Sequence, residues 1–241
     1  MTGAARGLGR ACATALAEAG ADPSLLDVLP MDDACAEVEA LGRRCGRQSV
    51  DLRGLTPERA ADVVSACVET LGRLDVLVNC AGVIRRSPAL DYSPEDWDVV
   101  VSVDLSAAFF LSQAAGRYFA DRGGGGKIIN IASMLSFQGG VHVPAYVAAK
   151  SGLAGFTRAL ANEWAAIGVN VNAVAPGYMD TDLTAVLRED PIVAEQTLAR
   201  IPAGRWGRPS DIAGALLLLA SDAGEYIHGA IVPVDGGWLA R

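Results

Sequence analysis

A doubly wound α/β domain, with helices on both faces of a parallel sheet, is the fold class this sequence predicts. Three observations carry that prediction. Apolar runs alternate with helical patterns along the whole chain. The runs are continuous rather than polar-alternating, as strands covered on both faces are. A glycine-rich turn opens the chain ahead of a helical stretch. Together these give a Rossmann-like, three-layer αβα domain whose ligands sit at the carboxyl ends of the strands. The 241 residues fit a single domain over 1–241, because no Pro/Ser-rich linker, charge block or internal repeat divides them.

The opening "MTGAARGLG" places Gly3, Gly7 and Gly9 where backbone N–H groups can approach a pyrophosphate at a helix N-terminus. The spacing is GxxxGxG rather than GxGxxG, so alone it reads equally as a plain glycine-rich turn. Such a turn normally follows a buried strand, yet only Met1 precedes Thr2. The expectation is a fold whose first β-strand is missing from this N-terminally truncated sequence, which would leave two neighbouring strand edges exposed. On that reading the natural frame starts upstream, or about 10 to 15 residues have been lost, the length of one strand and its lead-in.

The remaining elements follow in order. "ARGLGRACATALAEAG" is a helix and "SLLDV" a strand ending near Asp27. An acid there binds an adenosine ribose and disfavours a 2′-phosphate, the alternative being a strand-end turn acid. "DDACAEVEALG" and "TPERAADVVSACVETLG" are helices; "VDL" (Val50 to Leu52) and "NCAG" (Asn79 to Gly82) lie at strand ends, the latter after "LDVLV". The helical stretch from Ser93 to about Ala120 begins at "SPED", with Ser93 as cap, Pro94 in the first turn and an acid at the third position. Gly123 to Gly126 end it and release the chain into the strand "KIINIAS". A helix from about Tyr146 to Ala166, the strand "VNVNAVAP", the helix "PSDIAGALLLLA" capped by Ser210 or Asp211, and the strand "AIVPVDGG" complete the set.

Composition narrows the function classes. A formal charge of −8 argues against a nucleic-acid or membrane-surface binder, though a local Arg pair can still receive an anionic small molecule. Five cysteines, without a CxxC or clustered His, predict neither a zinc site nor a disulfide framework, and so a reducing cytoplasm. The most apolar run, around Leu216 to Ala220, falls far short of the roughly 20 residues that span a bilayer.

The chemistry concentrates in "SMLSFQGGVHVPAYVAAK". Tyr146 and Lys150 are four apart, so on a helix they share a face and can meet. A phenol titrates near 10, too high for a base at neutral pH, but a neighbouring ammonium favours the phenolate and lowers that value. Only Lys127 and Lys150 among the twenty basic residues are lysines, which singles out this one. Ser133, at the carboxyl end of "KIINIAS", is placed to hold the reacting oxygen opposite the phenol, with Ser136 a nearby competitor.

The glycine turn, "NCAG", Ser133, "YVAAK" and "PGYMDT" together resemble the short-chain dehydrogenase/reductase family over the whole chain. "GVIRR", "GGKIINIASMLSFQGG", "VNVNAVAPGYM", "RIPAGRWGRPSD" and "VDGGWLAR" narrow the likeness to its 2-dehydro-3-deoxy-D-gluconate 5-dehydrogenase branch, which acts on ketodeoxy sugar acids in pectin and uronate breakdown. The resemblance implies NAD as cofactor, NADP less so, a sugar-acid substrate, and a homo-oligomer, either tetramer or dimer. It implies that Tyr146 is the general acid/base, that Lys150 lowers its pKa and binds the nicotinamide ribose, and that Ser133 polarises the substrate oxygen. Gly3, Arg6, Leu8 and Gly9 would surround the pyrophosphate, and Asp27 would select NAD. Asp51 and Leu52 would meet adenine; Asn79, Ala81 and Gly82 the ribose; Pro176, Gly177, Tyr178 and Thr181 the nicotinamide.

For the substrate carboxylate, Arg85 and Arg86 follow "NCAG" at the mouth of the site, the alternative being solvated loop charge or an intersubunit pair; Gln138 and His142, on the loop between Ser133 and Tyr146, are placed to reach sugar hydroxyls. Trp206 reads as packing. Where the family commonly carries Asn holding a relay water, this chain has Asp104, which implies a relay with altered pH dependence, a slow enzyme, or a difference the structure absorbs. The competing readings are a short-chain dehydrogenase for a polyol, steroid or acyl-carrier ketone, and a nucleotide-binding protein without turnover.

Overall fold

In the computed structural model, residues 1–240 are described. Six strands are all parallel: β1 (Ser24–Asp27), β2 (Gly46–Ser49), β3 (Val76–Asn79), β4 (Gly126–Ile131), β5 (Val169–Pro176) and β6 (Ile231–Val234). They form two ladders, β2–β1 and β3–β4–β5–β6. The backbone of Met1 to Gly3 lies between the ladders at their carboxyl ends. Leu26 N donates to Met1 O (2.9 Å), Gly3 N to Leu26 O (2.8 Å) and Thr2 N to Val78 O (3.0 Å). The gap expected between the strand edges is therefore filled at the end where the site lies.

Neighbouring residues of one strand face opposite layers, as the two-residue strand period requires. Ile128 joins a core with Leu111, Phe119 and Val171, whereas Ile129 joins Val174, Ile212 and Leu216 on the other face. Each such fully buried side chain contributes about 1.5–3 kcal/mol. β5 is buried at all eight positions, including two asparagines. They are tolerated because both are paired: Asn170 Nδ2 donates to Glu225 O (2.7 Å), and Asn172 Nδ2 donates to Ile227 O (2.7 Å).

The helices are α1 (Gly7–Glu18), α2 (Asp32–Ala40), α3 (Pro57–Leu71), α4 (Pro94–Val101), α5 (Ala107–Arg122), α6 (Pro144–Trp164), α7 (Ala185–Glu189), α8 (Pro191–Arg200) and α9 (Ala213–Ala220). Ser93 caps α4 as its sequence predicts, its Oγ accepting from Asp96 N at 3.1 Å. The cap expected at Ser210 or Asp211 is instead at Arg208. Pro209–Ile212 form a 3₁₀ turn, and the Asp211 carboxylate reaches back to Arg208 N (2.7 Å). α4 and α5 run on through a π-helical turn, Ser102–Ser106, into one rod. That rod, Pro94–Arg122, is long and apolar enough to cross a membrane, unlike the shorter run around Leu216, and 56% of its apolar window is buried.

Two features depart from the sequence reading. β2, "GRQS", is polar and pairs only with β1, so no apolar run announces it. Cys35 and Cys45 form a disulfide, with Cα atoms 5.6 Å apart, where none was expected. Parallel pairing of β1 and β2 folds α2 back beside the segment leading into β2, which brings two cysteines together without any spacing motif.

Candidate active site

The carboxyl ends of β1, β3, β4 and β5 open onto one cavity of about 1350 Å³. Its floor is the glycine turn. Gly3 has φ +66°, and a Cβ there would stand 2.7 Å from Ala81 Cα. A Cβ on Gly9 would stand 2.7 Å from the Gly3 carbonyl carbon. Glycine is therefore required for the turn to close and for backbone to approach a ligand. No side chain caps α1, so its first N–H groups are left for an anion. Arg6 and Leu8 also line this part of the cavity, and Arg6 Nη1 pairs with Asp182 at 2.7 Å across its opening.

The adenosine end is shaped by acids held in place. Asp27 Oδ2 accepts from Ala5 N (3.0 Å), while Oδ1 accepts from Val28 N (2.8 Å) and Leu29 N (3.0 Å). Asp51 is gripped by Arg53, whose Nη2 lies 2.6 Å from Oδ2; this hydrogen bond holds the carboxyl below its usual value. Leu52, Ala81 and Gly82 line the middle of the cavity, and Pro176, Gly177, Tyr178 and Thr181 line the wall after β5. A cradle that a Cβ would block, an uncapped helix start and an acid at the end of β1 fit a nicotinamide dinucleotide.

The reacting end gathers Ser133, Tyr146 and Lys150. Tyr146 and Lys150 lie buried on one face of α6, with Lys150 Nζ 5.4 Å from the Tyr146 ring centroid. Ser133 stands just beyond β4, near enough to the Tyr146 phenol to favour its ionised form, while its Oγ accepts from Leu135 N at 3.1 Å. Ser136 is removed from contention, because its hydroxyl donates to Lys150 O at 2.7 Å. Lys150 Nζ donates to Ile131 O (3.0 Å) and lies 3.3 Å from Asp104 Oδ2. Asp104 projects from the π turn, a distortion that often marks functional sites, and its Oδ1 accepts from Val83 N at 2.7 Å.

Asp104 changes the electrostatics that the sequence predicts. Burial pushes the Tyr146 phenol up; Lys150 pulls it down, but the Asp104 carboxylate pushes it up again, and the net direction is upward. Lys150 is the mirror case: burial lowers it, while Asp104 and Tyr146 raise it above the ordinary value. Burial raises Asp104 itself, against the pull of Lys150. In this protein the lysine alone does not bring the phenol toward neutrality, because burial outweighs its pull and the Asp104 carboxylate adds to the burial.

Two expected residues lie elsewhere, and a third is turned aside. Asn79 is buried away from the cavity, its Nδ2 donating to Ser112 Oγ (3.0 Å) and Asn130 Oδ1 (2.8 Å), and so clamps β3 to β4 and α5. His142 is exposed at φ +63° outside the lining, and its carbonyl accepts from Ser87 N (3.0 Å). Arg85 lines the rim but is turned to Asp96 at 3.3 Å. Gln138 and Arg86 do line the cavity, Arg86 Nη2 donating to Leu183 O at 3.2 Å. Trp206 packs edge-on against Tyr178, with centroids 5.3 Å apart.

Residues that sequence reasoning missed also line the cavity: Cys80, Arg200 and Trp238. Cys80 follows Asn79 in "NCAG", a turn held by Thr2, whose Oγ1 accepts from Cys80 N (2.9 Å) and Ala81 N (3.0 Å). The neighbouring Cys12 thiol and the charge of Lys150 draw the Cys80 thiol down. Arg200 and Trp238 come from α8 and the C-terminal turn, and no local motif marks either. The arrangement as a whole, a phenol between a hydroxyl and an ammonium beside a dinucleotide-shaped cleft, can move a proton at a carbon–oxygen centre.

Known proteins resemble this chain over nearly its whole length. The family described as enoyl-(acyl carrier protein) reductase matches residues 3–239. The 2-dehydro-3-deoxy-D-gluconate 5-dehydrogenase of Escherichia coli K12 is 49% identical over 241 residues, covering all of this chain and 94% of that protein. Its namesake from Bacillus subtilis 168 is 46% identical over 243 residues, with the same shares covered. A crystal structure from Agrobacterium tumefaciens, provisionally named a 2-deoxy-D-gluconate 3-dehydrogenase and holding NADP, superposes with a TM-score of 0.92 at 47% identity. It covers 100% of this chain and 95% of that one.

Proposed function

Because the chain belongs to the short-chain dehydrogenase/reductase family, we propose that it is an NAD-dependent dehydrogenase of deoxy sugar acids of the 2-dehydro-3-deoxy-D-gluconate type. The observation that carries this reading is the meeting of Ser133, Tyr146 and Lys150 in a cavity whose other end is a glycine cradle and an acid. The full-length likeness to sugar-acid dehydrogenases supplies the substrate class.

When bound, the nicotinamide coenzyme accepts or donates the hydride. The rest falls to this chain's own side chains. Ser133 donates to the substrate oxygen and holds it beside Tyr146. In oxidation the Tyr146 phenolate takes the hydroxyl proton; in reduction the phenol returns it. Lys150, anchored on Ile131 O, stabilises the phenolate, and Asp104 tempers that charge. The Asp27 carboxylate places negative charge where a 2′-phosphate would lie, which favours NAD over NADP. This reading makes the protein a cytoplasmic enzyme of uronate breakdown, drawing on the cellular nicotinamide pool. It also makes it a homo-oligomer: little more than half of the most apolar stretch of the rod Pro94–Arg122 is buried, and Trp97 on it and Leu90 just before it are exposed. Light scattering would give the assembly size, a monomer at micromolar concentration being the contrary result.

NADH absorbance in the presence of a panel of sugar acids and polyols tests the activity. Turnover of 2-dehydro-3-deoxy-D-gluconate should exceed that of any neutral polyol, and Tyr146→Phe should lower kcat by about 10²-fold or more. Turnover confined to polyols or acyl thioesters would overturn the reading.

A further inference from the structure

We propose that Arg200 and the indole N–H of Trp238 form the subsite that takes the substrate's carboxylate; this inference rests on the sugar-acid reading above. Arg200 ends α8 and lines the cavity, its guanidinium carbon 4.1 Å from the Trp238 ring centroid. Among the described residues no acid pairs with it, whereas Arg85 is turned to Asp96 and Arg6 to Asp182. Trp238 is only 4% exposed, and its Nε1–H is buried with no hydrogen-bond acceptor among the described residues. Buried indole donors normally find a partner, so an unpaired one on a side chain that lines the cavity points to a ligand acceptor.

The two donors stand at the reacting end of the cavity. Trp238 packs in one cluster with Met134, the residue after Ser133, and with Tyr178, whose ring centroid is 4.8 Å from its own. The Tyr178 phenol is close enough to Arg200 and Arg86 that both charges pull its pKa down against the larger effect of burial. Two guanidinium groups and an indole N–H thus surround one corner of the cavity. The stacked Arg200 presents a planar fork that matches a carboxylate, with the indole N–H as an additional donor. Arg86 is already partly engaged by Leu183 O, so Arg200 carries the larger share.

The test compares wild type with Arg200→Met, Arg200→Lys and Trp238→Phe, using 2-dehydro-3-deoxy-D-gluconate and its methyl ester as paired substrates. Calorimetric binding of D-gluconate to the NADH-loaded protein adds a readout that needs no turnover. Arg200→Met should raise KM for the acid by roughly 30-fold, change kcat by less than about threefold, and abolish most of the preference for acid over ester. Arg200→Lys should recover part of that loss by its charge alone, and Trp238→Phe should raise KM for the acid by about fivefold. NADH affinity within about twofold of wild type certifies that each variant is folded. Equal losses on acid and ester, or a Lys variant no better than Met, would show that Arg200 only packs on Trp238, and would overturn the subsite while leaving the sugar-acid reading intact. A wild type that neither oxidises nor binds any sugar acid would remove that reading, and the subsite with it, before a variant is made.

Discussion

A buried carboxylate 3.3 Å from the lysine that serves the reacting phenol gives this site its individual character. An anion beside a phenol disfavours the phenolate, so Asp104 pushes the Tyr146 phenol up, and with it the pH at which the proposed base would act. Replacing it by Asn keeps an oxygen for Val83 N–H and removes the charge. The pH–rate profile of oxidation by Asp104→Asn should therefore move its acidic limb down by about one unit or more. An unchanged profile would deny Asp104 any influence on the proton transfer. Asp27 acts at the other end: Asp27→Ala should cut the preference for NAD over NADP by about tenfold or more, read as the ratio of kcat/KM values. A ratio that stays put would reduce Asp27 to a turn acid serving Ala5, Val28 and Leu29. At this scale the sequence was most legible where geometry is local. Tyr146 and Lys150 meet because residues four apart on a helix must, and Ser133 joins them because its strand ends there. Asn79 and His142 fall outside the cavity, and Arg85 lines it but turns to Asp96, because side-chain direction at a strand end or on a loop depends on neighbours that a local motif does not show. Arg200 and Trp238 stayed hidden for the same reason, lying some forty residues apart and converging only through tertiary packing.

Among the elements, the glycine turn and α1 act as one device, and Gly9 is where they touch. A Cβ at Gly9 would meet Gly3 backbone, which has nowhere to go because Gly3 is hydrogen-bonded to Leu26 and packed on Ala81. Gly9→Ala should destabilise the protein by about 1–3 kcal/mol and weaken NADH binding by about tenfold or more. Gly20→Ala is the comparison. Its φ is +99° but its missing Cβ faces open space, so it should cost about 1 kcal/mol of stability and leave NADH binding alone. Equal effects of the two on coenzyme affinity would mean that the turn is not the cradle. The α1 turn, the fully buried β5 and the cap at Ser93 were all readable from pattern and punctuation. β2 was not, since "GRQS" is polar and owes its strand to a single neighbour. Nor was the π turn, because an extra residue per turn leaves no periodic signature over the five residues Ser102–Ser106.

Across the whole molecule, the cavity spans the line where the backbone of Met1 to Gly3 bridges two ladders. Asp27 and Leu52 line it from the β2–β1 side; Ala81, Ser133 and Pro176 line it from the β3–β6 side. Thr2 reinforces the seam, its backbone N–H bound to Val78 O and its hydroxyl to Cys80 and Ala81. A coenzyme lying across this seam binds the native arrangement of both ladders and not either one alone. By linkage, NADH at 100 times its Kd should add about 2.7 kcal/mol to the stability of the assembled fold. For a chain of this size that corresponds to a rise in Tm of roughly 5–10 °C. Calorimetry should show a single transition that moves as a unit, because neither ladder can release its half of the ligand without losing the other half's contribution. Two transitions, of which only one responds to NADH, would mean that the ladders are energetically separate. The coenzyme site would then belong to one of them.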